Sequence, residues 1–289
     1  MLITVFTPTY NRAYRLEALY QSLCKQSYKD FEWLIIDDGS TDDTRGLVSK
    51  FINEGKINIR YFTQPNGGKH RAINRGVKEA GGILFYIVDS DDILPPDSLH
   101  HIALHYDMIK DRHDIGGVCG LKADYDGVIV GGDKDFDVLE CSAFDLRYKH
   151  NVKGDMAEVF LTSVMKKYPF PEIEGERFCP EALIWNRISA HYPLHYFNHP
   201  VYYCEYLEDG LTSAITRVRV NSPVATTMTY AELVKAPVSF FIRFRSAINY
   251  WRFRRYIKDK KVIPQLGLFW QLARPFSLLF YSKDKQLRK

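Results

Sequence analysis

The 289-residue sequence contains no stretch of ~18 uninterrupted apolar residues, so an ordinary membrane-spanning helix is not expected. Cysteine is sparse: Cys24, Cys119, Cys141, Cys179 and Cys204 are scattered, odd in number and without a C-x-x-C pair. That spacing matches no zinc site and no disulfide framework. It reads as reduced thiols packed as small hydrophobes in a cytosolic protein. No fixed-period repeat is visible. The opening Met1–Phe6 lacks the basic region and cleavage site of a secretory leader and runs straight into an apolar segment, so the fold is expected to begin there.

What is present is globular. Hydrophobic residues make up 46% and charged residues 26%, which rules out a wholly disordered chain, and 19 Tyr with 18 Phe can fill a sizeable core. The length suits one large α/β unit or one domain with an appendage. The net charge of +4 hides a split. Residues 230–289 hold 14 Lys and Arg against 3 Asp and Glu, a net +11, leaving −7 on the first 229. The expected division is therefore 1–229 and a basic, aromatic, helical 230–289. A basic tail meets an anionic partner, and the acidic body argues against nucleic acid.

Short apolar runs alternate with helix-period patterns. Strands are expected at Leu2–Phe6, Phe31–Ile36, Ile57–Phe62 and Ile83–Val88. Helices are expected at Arg12–Lys25, at about Asp42–Ile52 capped by Ser40 or Thr41, up to about Ala80, and from Pro95-Pro96-Asp97 to about Ile109. Gly116–Glu158 reads as further strands and loops, Pro180–His191 as a helix and Leu194–Leu207 as a strand. This alternation implies a mostly parallel sheet flanked by helices, with ligands bound beyond the carboxyl ends of the strands.

Four polar segments fall at those ends. Val88-Asp89-Ser90-Asp91-Asp92 places three carboxylates where a buried strand stops, and a divalent cation with oxygen ligands, Mn²⁺ or Mg²⁺, resolves the repulsion. An acidic turn capping the next helix is the plainer explanation. Thr7-Pro8-Thr9-Tyr10-Asn11-Arg12 offers hydroxyls and a ring to a planar ligand, or is an ordinary strand-to-helix turn. Ile36-Asp37-Asp38-Gly39-Ser40-Thr41-Asp42 offers a carboxylate to the imide N–H of a pyrimidine, or is a cap followed by a turn glycine. Asn66-Gly67-Gly68-Lys69-His70-Arg71 lets the backbone approach a ligand, with Lys69 favouring an anion. It is neither G-x-G-x-x-G nor a P-loop. His70, His150, His195 and His199 show no ligand spacing and are expected to be solvated or in the core.

Taken in order, these segments resemble glycosyltransferase family 2, the inverting enzymes of GT-A fold. Its T-P-x-Y-N-R resembles Thr7–Arg12, its D-D-G-S-x-D Asp37–Asp42, its N-x-G-x-x-x-A-x-N-x-G Asn66–Gly76 and its D-x-D Asp89–Asp91. The resemblance covers residues 2–110 well and continues more loosely to about 215. It implies an α/β, GT-A-type nucleotide-diphospho-sugar transferase with a C-terminal helical extension. Thr7, Pro8, Tyr10 and Arg12 would then sit at the nucleoside, and Asp38 would bind the uracil ring. Asn66, Gly68 and Lys69 would lie toward the base or diphosphate, Asp89 and Ser90 at the donor ribose or sugar, and Asp91 would ligate the metal. The family's E-D-x-x-L-W-x-R helix is similar to Pro180-Glu181-Ala182-Leu183-Ile184-Trp185-Asn186-Arg187, with the acidic pair reduced to Pro-Glu. Glu181 is then the expected catalytic base, with a first-turn helix charge as the alternative. Glu208–Ser213 stands where relatives have a closing loop, and Trp185 is expected in the core.

The implied partners are a nucleotide-sugar donor, probed first as a UDP-sugar, and a saccharide or lipid-linked acceptor of bacterial surface polysaccharide synthesis. Residues 237–289, with Phe240–Arg245 and Tyr250–Tyr256 interleaving aromatics and arginines, suit an anionic membrane surface. The expected location is the cytoplasm, at the inner face of the membrane. Helices packed on the domain, with Arg stems covering apolar surface, explain the same pattern. A metal-dependent nucleotidyltransferase and a non-catalytic sugar-nucleotide binder are the competing readings.

Overall fold

The computed structural model describes residues 1–205, 215–259, 262–280 and 284. The chain forms two compact units: Met1–Pro169 with His191–Glu205, and Phe170–Ala190 with Tyr206–Lys289. Residue 229 lies inside a helix of the second unit, Pro223–Lys235, so the compact units do not divide at the point where the charge changes.

The first unit opens as β1 (Ile3–Thr9), α1 (Ala13–Cys24), β2 (Phe31–Asp37), α2 (Thr44–Glu54), β3 (Ile59–Thr63), α3 (Lys69–Glu79), β4 (Leu84–Ile87) and α4 (Ser98–Asp107). It continues through β5 (Gly117–Ala123), β6 (Val138–Cys141), α5 (Ala143–Tyr148), β7 (Met156–Leu161), α6 (Thr162–Lys167) and β8 (Leu194–Tyr203). The eight strands form one sheet in the order β3-β2-β1-β4-β7-β5-β8-β6. β1–β2, β2–β3, β1–β4 and β5–β8 are parallel, and β7 and β6 pair antiparallel with their neighbours. Every residue of β1 and β2 is buried, as central strands covered on both faces must be. On one face Tyr20, Trp33 and Phe51 stack, the Tyr20 and Phe51 centroids 4.0 Å apart. The short helices α5 and α6 stand in and beside the region expected to hold only strands and loops. Ser142 caps α5 by accepting from the Asp145 N–H.

Strand order reverses at β1: β2 and β3 run off on one side, β4 on the other. In a parallel sheet such a reversal opens a crevice beyond the carboxyl ends, because the flanking crossovers diverge there. Here the Thr9–Arg12 loop and Asp89–Asp92 flank that switch point.

The second unit contains α7 (Ala182–Ser189), α8 (Ile215–Asn221), α9 (Pro223–Lys235), α10 (Phe240–Arg254) and a 3-10 helix at Leu268–Ala273. Arg187 of α7 clamps Glu232 of α9 with Nη2–Oε1 at 2.6 Å and Nε at 3.0 and 3.1 Å from the two carboxylate oxygens. The buried Glu176 carboxylate accepts from the N–H groups of Val224 (2.6 Å) and Ala225 (3.0 Å) and so caps α9 behind its N1 proline. Tyr250, Trp251 and Phe253 of α10 are buried, and Arg243 donates inward to the Val234 carbonyl at 2.7 Å. Apolar surface instead faces solvent at Phe240, Phe241 and along Leu268–Phe280. Leu268 is 87% exposed, Leu279 77% and Phe241 71%. Among the described residues no helix is long and apolar enough to cross a membrane.

Candidate active site

The polar segments leave strands whose pairing continues past their ends. Asp38 N donates to the Thr9 carbonyl (2.8 Å), Gln64 N to the Asp37 carbonyl (2.9 Å) and Val88 N to the Phe6 carbonyl (2.8 Å). The loops therefore start in fixed register. Asn11 takes a left-handed conformation (φ 52°), which asparagine tolerates better than most residues. Its N–H donates to Ser40 Oγ (2.9 Å), and its Oδ1 accepts from Thr41 N (2.7 Å). Ser40 and Thr41 thus join two loops rather than cap α2, a correction to the expected cap. Asp42 instead accepts from Thr44 N (3.2 Å) at the start of α2, and from Ala13 N (3.0 Å) at the start of α1.

Asp38 is 4% exposed and its carboxylate is saturated. Oδ1 accepts from Gln64 Nε2 (2.7 Å) and Gly67 N (3.0 Å); Oδ2 accepts from Gly68 N (2.7 Å) and Asn66 Nδ2 (3.2 Å). Four donors fill four acceptor positions. A base imide N–H can reach this carboxylate only by displacing one donor. Gln64 Nε2 is the side-chain group best able to swing, since Gly67 and Gly68 donate from the backbone. Gly39 and Gly68 are required here. Both have positive φ (83° and 96°), and a Cβ on Gly39 would lie 2.9 Å from Asn66 N.

Lys69, first residue of α3, places Nζ 2.6 Å from Asp89 Oδ1. Burial alone would raise the Asp89 carboxyl. The charge and hydrogen bond of Lys69, with Lys122 behind it, outweigh burial and hold it below the usual range. Asp92 is buried and accepts from Tyr202 Oη at 2.6 Å. Burial first, then the Asp89 charge, push its carboxyl up to about 7 against the opposing pull of Tyr202 and Lys122. Tyr202 Oη also accepts from Asp89 N (3.0 Å), and Lys122 Nζ lies 4.0 Å over its ring. Asp91 is half-buried beside them, its carbonyl accepting from Tyr125 Oη at 3.4 Å. Ser90 is buried. Residues 89–92 offer only oxygen donors among their side chains, with three carboxylates close together. That donor set fits a hard divalent cation.

The structure brings Pro8, Asp38, Asn66, Gly68, Lys69, Asp89, Ser90 and Asp91 to the same ends of β1, β2 and β4. Tyr10 is exposed at the rim, and Arg12 is half-buried, its guanidinium donating to Tyr14 Oη. Thr7 is turned into the core, where its Oγ1 accepts from Trp33 Nε1 at 2.9 Å, so only its backbone can face a ligand. Glu181 belongs to the second unit. It is the half-buried N-cap residue of α7, its carbonyl accepting from Ile184 N (2.9 Å) and Trp185 N (3.0 Å). Trp185 packs edge-on to Phe170 at 5.9 Å between centroids, as a core aromatic does. Glu208–Ser213 lies outside the described residues.

Sequence reasoning missed Lys122, Tyr125 and Tyr202, which arrive from β5, the following turn and β8 with no motif to mark them. His199, expected to be solvated or in the core, is half-buried beside Asp97. Among the described residues, Asp97, His101 and His199 form a group whose ligand atoms all lie within 4.8 Å of one another. The Asp97/His101 spacing of four on one helix was the available signal.

A parallel-strand crevice rimmed by these loops is consistent with a GT-A-type fold. Residues 4–127 match the family model Glycosyl transferase family 2, so this part of the chain is similar to that family. Glycosyltransferase GlyG of Streptococcus pneumoniae is 32% identical over 197 residues, spanning 63% of this chain and 63% of that protein. The structure of Staphylococcus aureus TarS 1–349 in complex with UDP-GlcNAc superposes with a TM-score of 0.64 at 20% identity, covering 99% of this chain and 83% of that one. Mannosyltransferase PcManGT from Pyrobaculum calidifontis, in complex with GDP-Man and Mn²⁺, gives 0.56 at 17% identity, covering 98% and 82%. The chain spans between 10% and 63% of the length of the curated relatives it matches.

Proposed function

We propose that this protein is an inverting glycosyltransferase. It moves a sugar from a UDP-sugar to a hydroxyl of a saccharide or lipid-linked acceptor in bacterial cell-surface polysaccharide synthesis. The observation that carries the reading is the convergence at the β1/β4 switch point. There Asp38 holds the Asn66–Gly68 loop and Lys69 reaches Asp89. UDP is preferred over GDP because the TarS complex holds UDP-GlcNAc.

In this reading Pro8, Tyr10 and the Thr7 backbone shape the nucleoside pocket, with Arg12 at its edge. Asp38, freed of Gln64, accepts from the uracil imide. Lys69 at the N-terminus of α3 moves from Asp89 toward the diphosphate, where the aligned N–H groups also favour negative charge. Asp89 and Ser90 orient the ribose and sugar. Asp91 would hold Mn²⁺ or Mg²⁺, which when bound offsets charge on the departing nucleoside diphosphate. Glu181 takes the proton of the acceptor hydroxyl, whose oxygen attacks the anomeric carbon on the face opposite the leaving group, so configuration inverts. Residues 1–229 supply these groups, and 230–289 form the appended segment.

The segment 237–289 is assigned to an anionic membrane surface at the cytoplasmic face. Its net positive charge and its exposed Phe240, Phe241, Leu268 and Leu279 support this. Changing Phe241, Leu268 and Leu279 together to Ser in the full chain should abolish flotation with anionic liposomes. Unchanged flotation would refute the assignment.

The test of the catalytic reading is release of UDP from UDP-sugars with Mn²⁺ or Mg²⁺. Asp91→Ala should lose turnover while keeping its melting temperature within a few degrees of the parent. Full metal-dependent transfer by Asp91→Ala would sink the metal assignment. Pyrophosphate release would favour a nucleotidyltransferase, and UDP binding without turnover on any acceptor would favour a non-catalytic binder.

A further inference from the structure

Helix α4 lies against β8, and histidines line the contact. His105 stacks on Phe197 with centroids 4.0 Å apart, and its Nδ1 is 3.0 Å from His195 Nε2. His195 Nδ1 in turn meets Glu140 Oε1 at 3.0 Å. These are ordinary hydrogen-bonded core contacts.

One turn nearer the start of α4 the arrangement changes. Asp97, the N-cap residue, and His101 are four apart on one face of the helix, and His199 projects from β8 onto the same spot. His101 Nε2 lies 3.4 Å and His199 Nε2 3.3 Å from the same oxygen, Asp97 Oδ2. The two imidazoles stack with centroids 3.6 Å apart and planes at 24°. Both distances exceed the ~2.7–3.2 Å of a good hydrogen bond. They match the edge of a tetrahedron whose centre is ~2.0–2.1 Å from each corner, about 3.4 Å, the geometry of zinc with nitrogen and carboxylate ligands.

We propose that Asp97, His101 and His199 form a binding site for a borderline divalent metal ion, zinc, separate from the oxygen-only cluster at 89–92. Two imidazoles with one carboxylate select zinc over magnesium or calcium, which prefer oxygen. All three side chains are half-buried, so solvent completes the coordination. The ion pins the first turn of α4 to β8, the strand that carries Tyr202. His199 precedes Tyr203 by four residues, about 13 Å along an extended strand. Tyr203 pairs with Ile93 just after the Asp89–Asp92 loop. The ion therefore braces that loop from outside it.

The experiment is zinc binding by equilibrium dialysis on the full chain, using Zn²⁺ alone. The parent and Asp91→Ala should each bind one equivalent with the same affinity. His101→Ala and His199→Ala should bind at least ~10-fold more weakly. Equal affinity in His199→Ala and the parent overturns the proposal, as does loss of binding in Asp91→Ala. A readout free of variants is the anomalous difference map of zinc-soaked crystals of the parent. A peak bounded by Asp97, His101 and His199 is expected, and a map with no peak there overturns the assignment.

Discussion

Removing the Asp38 carboxylate is the sharpest test of how the donor crevice is organised. In Asp38→Ala the N–H groups of Gly67 and Gly68 and the amide of Gln64 lose their acceptor, and Asn66 Nδ2 keeps only the backbone carbonyl of residue 38. A buried donor left unsatisfied costs ~1–3 kcal/mol. The glycine loop is half-buried, so water re-solvates part of it and the low end applies to each backbone amide. Loss of a carboxylate from the start of α3, whose N-cap is Gly68, adds ~0.3–1 kcal/mol. The expected local destabilisation is therefore about 2–4 kcal/mol. Asp38→Asn should fall in the same range, because its amide N–H₂ must face two donors. The direct assay is native-state hydrogen exchange at Gly67 and Gly68. At about 1.4 kcal/mol per decade, their protection should fall by roughly 1.5 to 3 powers of ten. UDP affinity should fall with it. If both amides stayed as protected as in the parent, the loop would be held by something other than this carboxylate, and the account of the crevice would be wrong.

Three further outcomes follow from particular contacts. Burial first, then the neighbouring His195, His101 and His199, push His105 down to about 4, against ~6.5 in an unfolded chain. The unfolded chain therefore takes up a proton first. Stability from this group is complete above about pH 6.5 and lost as pH falls toward 4, by about 3 kcal/mol. Urea midpoints measured from pH 7 to 4 should show this slope, and His105→Phe, which keeps the stack on Phe197, should flatten it; an unaltered slope refutes the shift. Lys69→Met should weaken UDP binding at least ~10-fold in calorimetry and reduce its salt dependence, since one cation at the helix start is lost; affinity equal to the parent would remove Lys69 from the site. Glu176→Ala should cost about 2 kcal/mol in the stability of the second unit, because Val224 and Ala225 N–H are left uncapped. A change under about 0.5 kcal/mol would refute the cap.

The alternation of apolar runs and helix-period segments through residue 109 was legible without coordinates. Burial imposes period and run length locally: β1 and β2 are buried along their whole length, and the helices between them carry their apolar residues at helical spacing. The short motifs were legible for the same reason, since a strand end with Asp-x-Asp or Asn-Gly-Gly announces itself within a few residues. Capping was not. Whether Ser40 serves its own helix or the Asn11 N–H depends on a loop 29 residues away.

Charge composition marked residues 230–289 as different, but packing grouped Phe170–Ala190 with them, because the Arg187–Glu232 and Glu176–α9 contacts join segments far apart in sequence. Local sequence thus determined which segments are strands and helices, and where polar groups emerge from them. Only the tertiary structure decided that Asp38 is spent on the glycine loop, that Thr7 faces Trp33, that Tyr202 meets Asp92, and that His199 meets Asp97 and His101. Each is a contact between segments separated by tens of residues. Such contacts are set by how elements cross in space, and no periodicity along the chain records that.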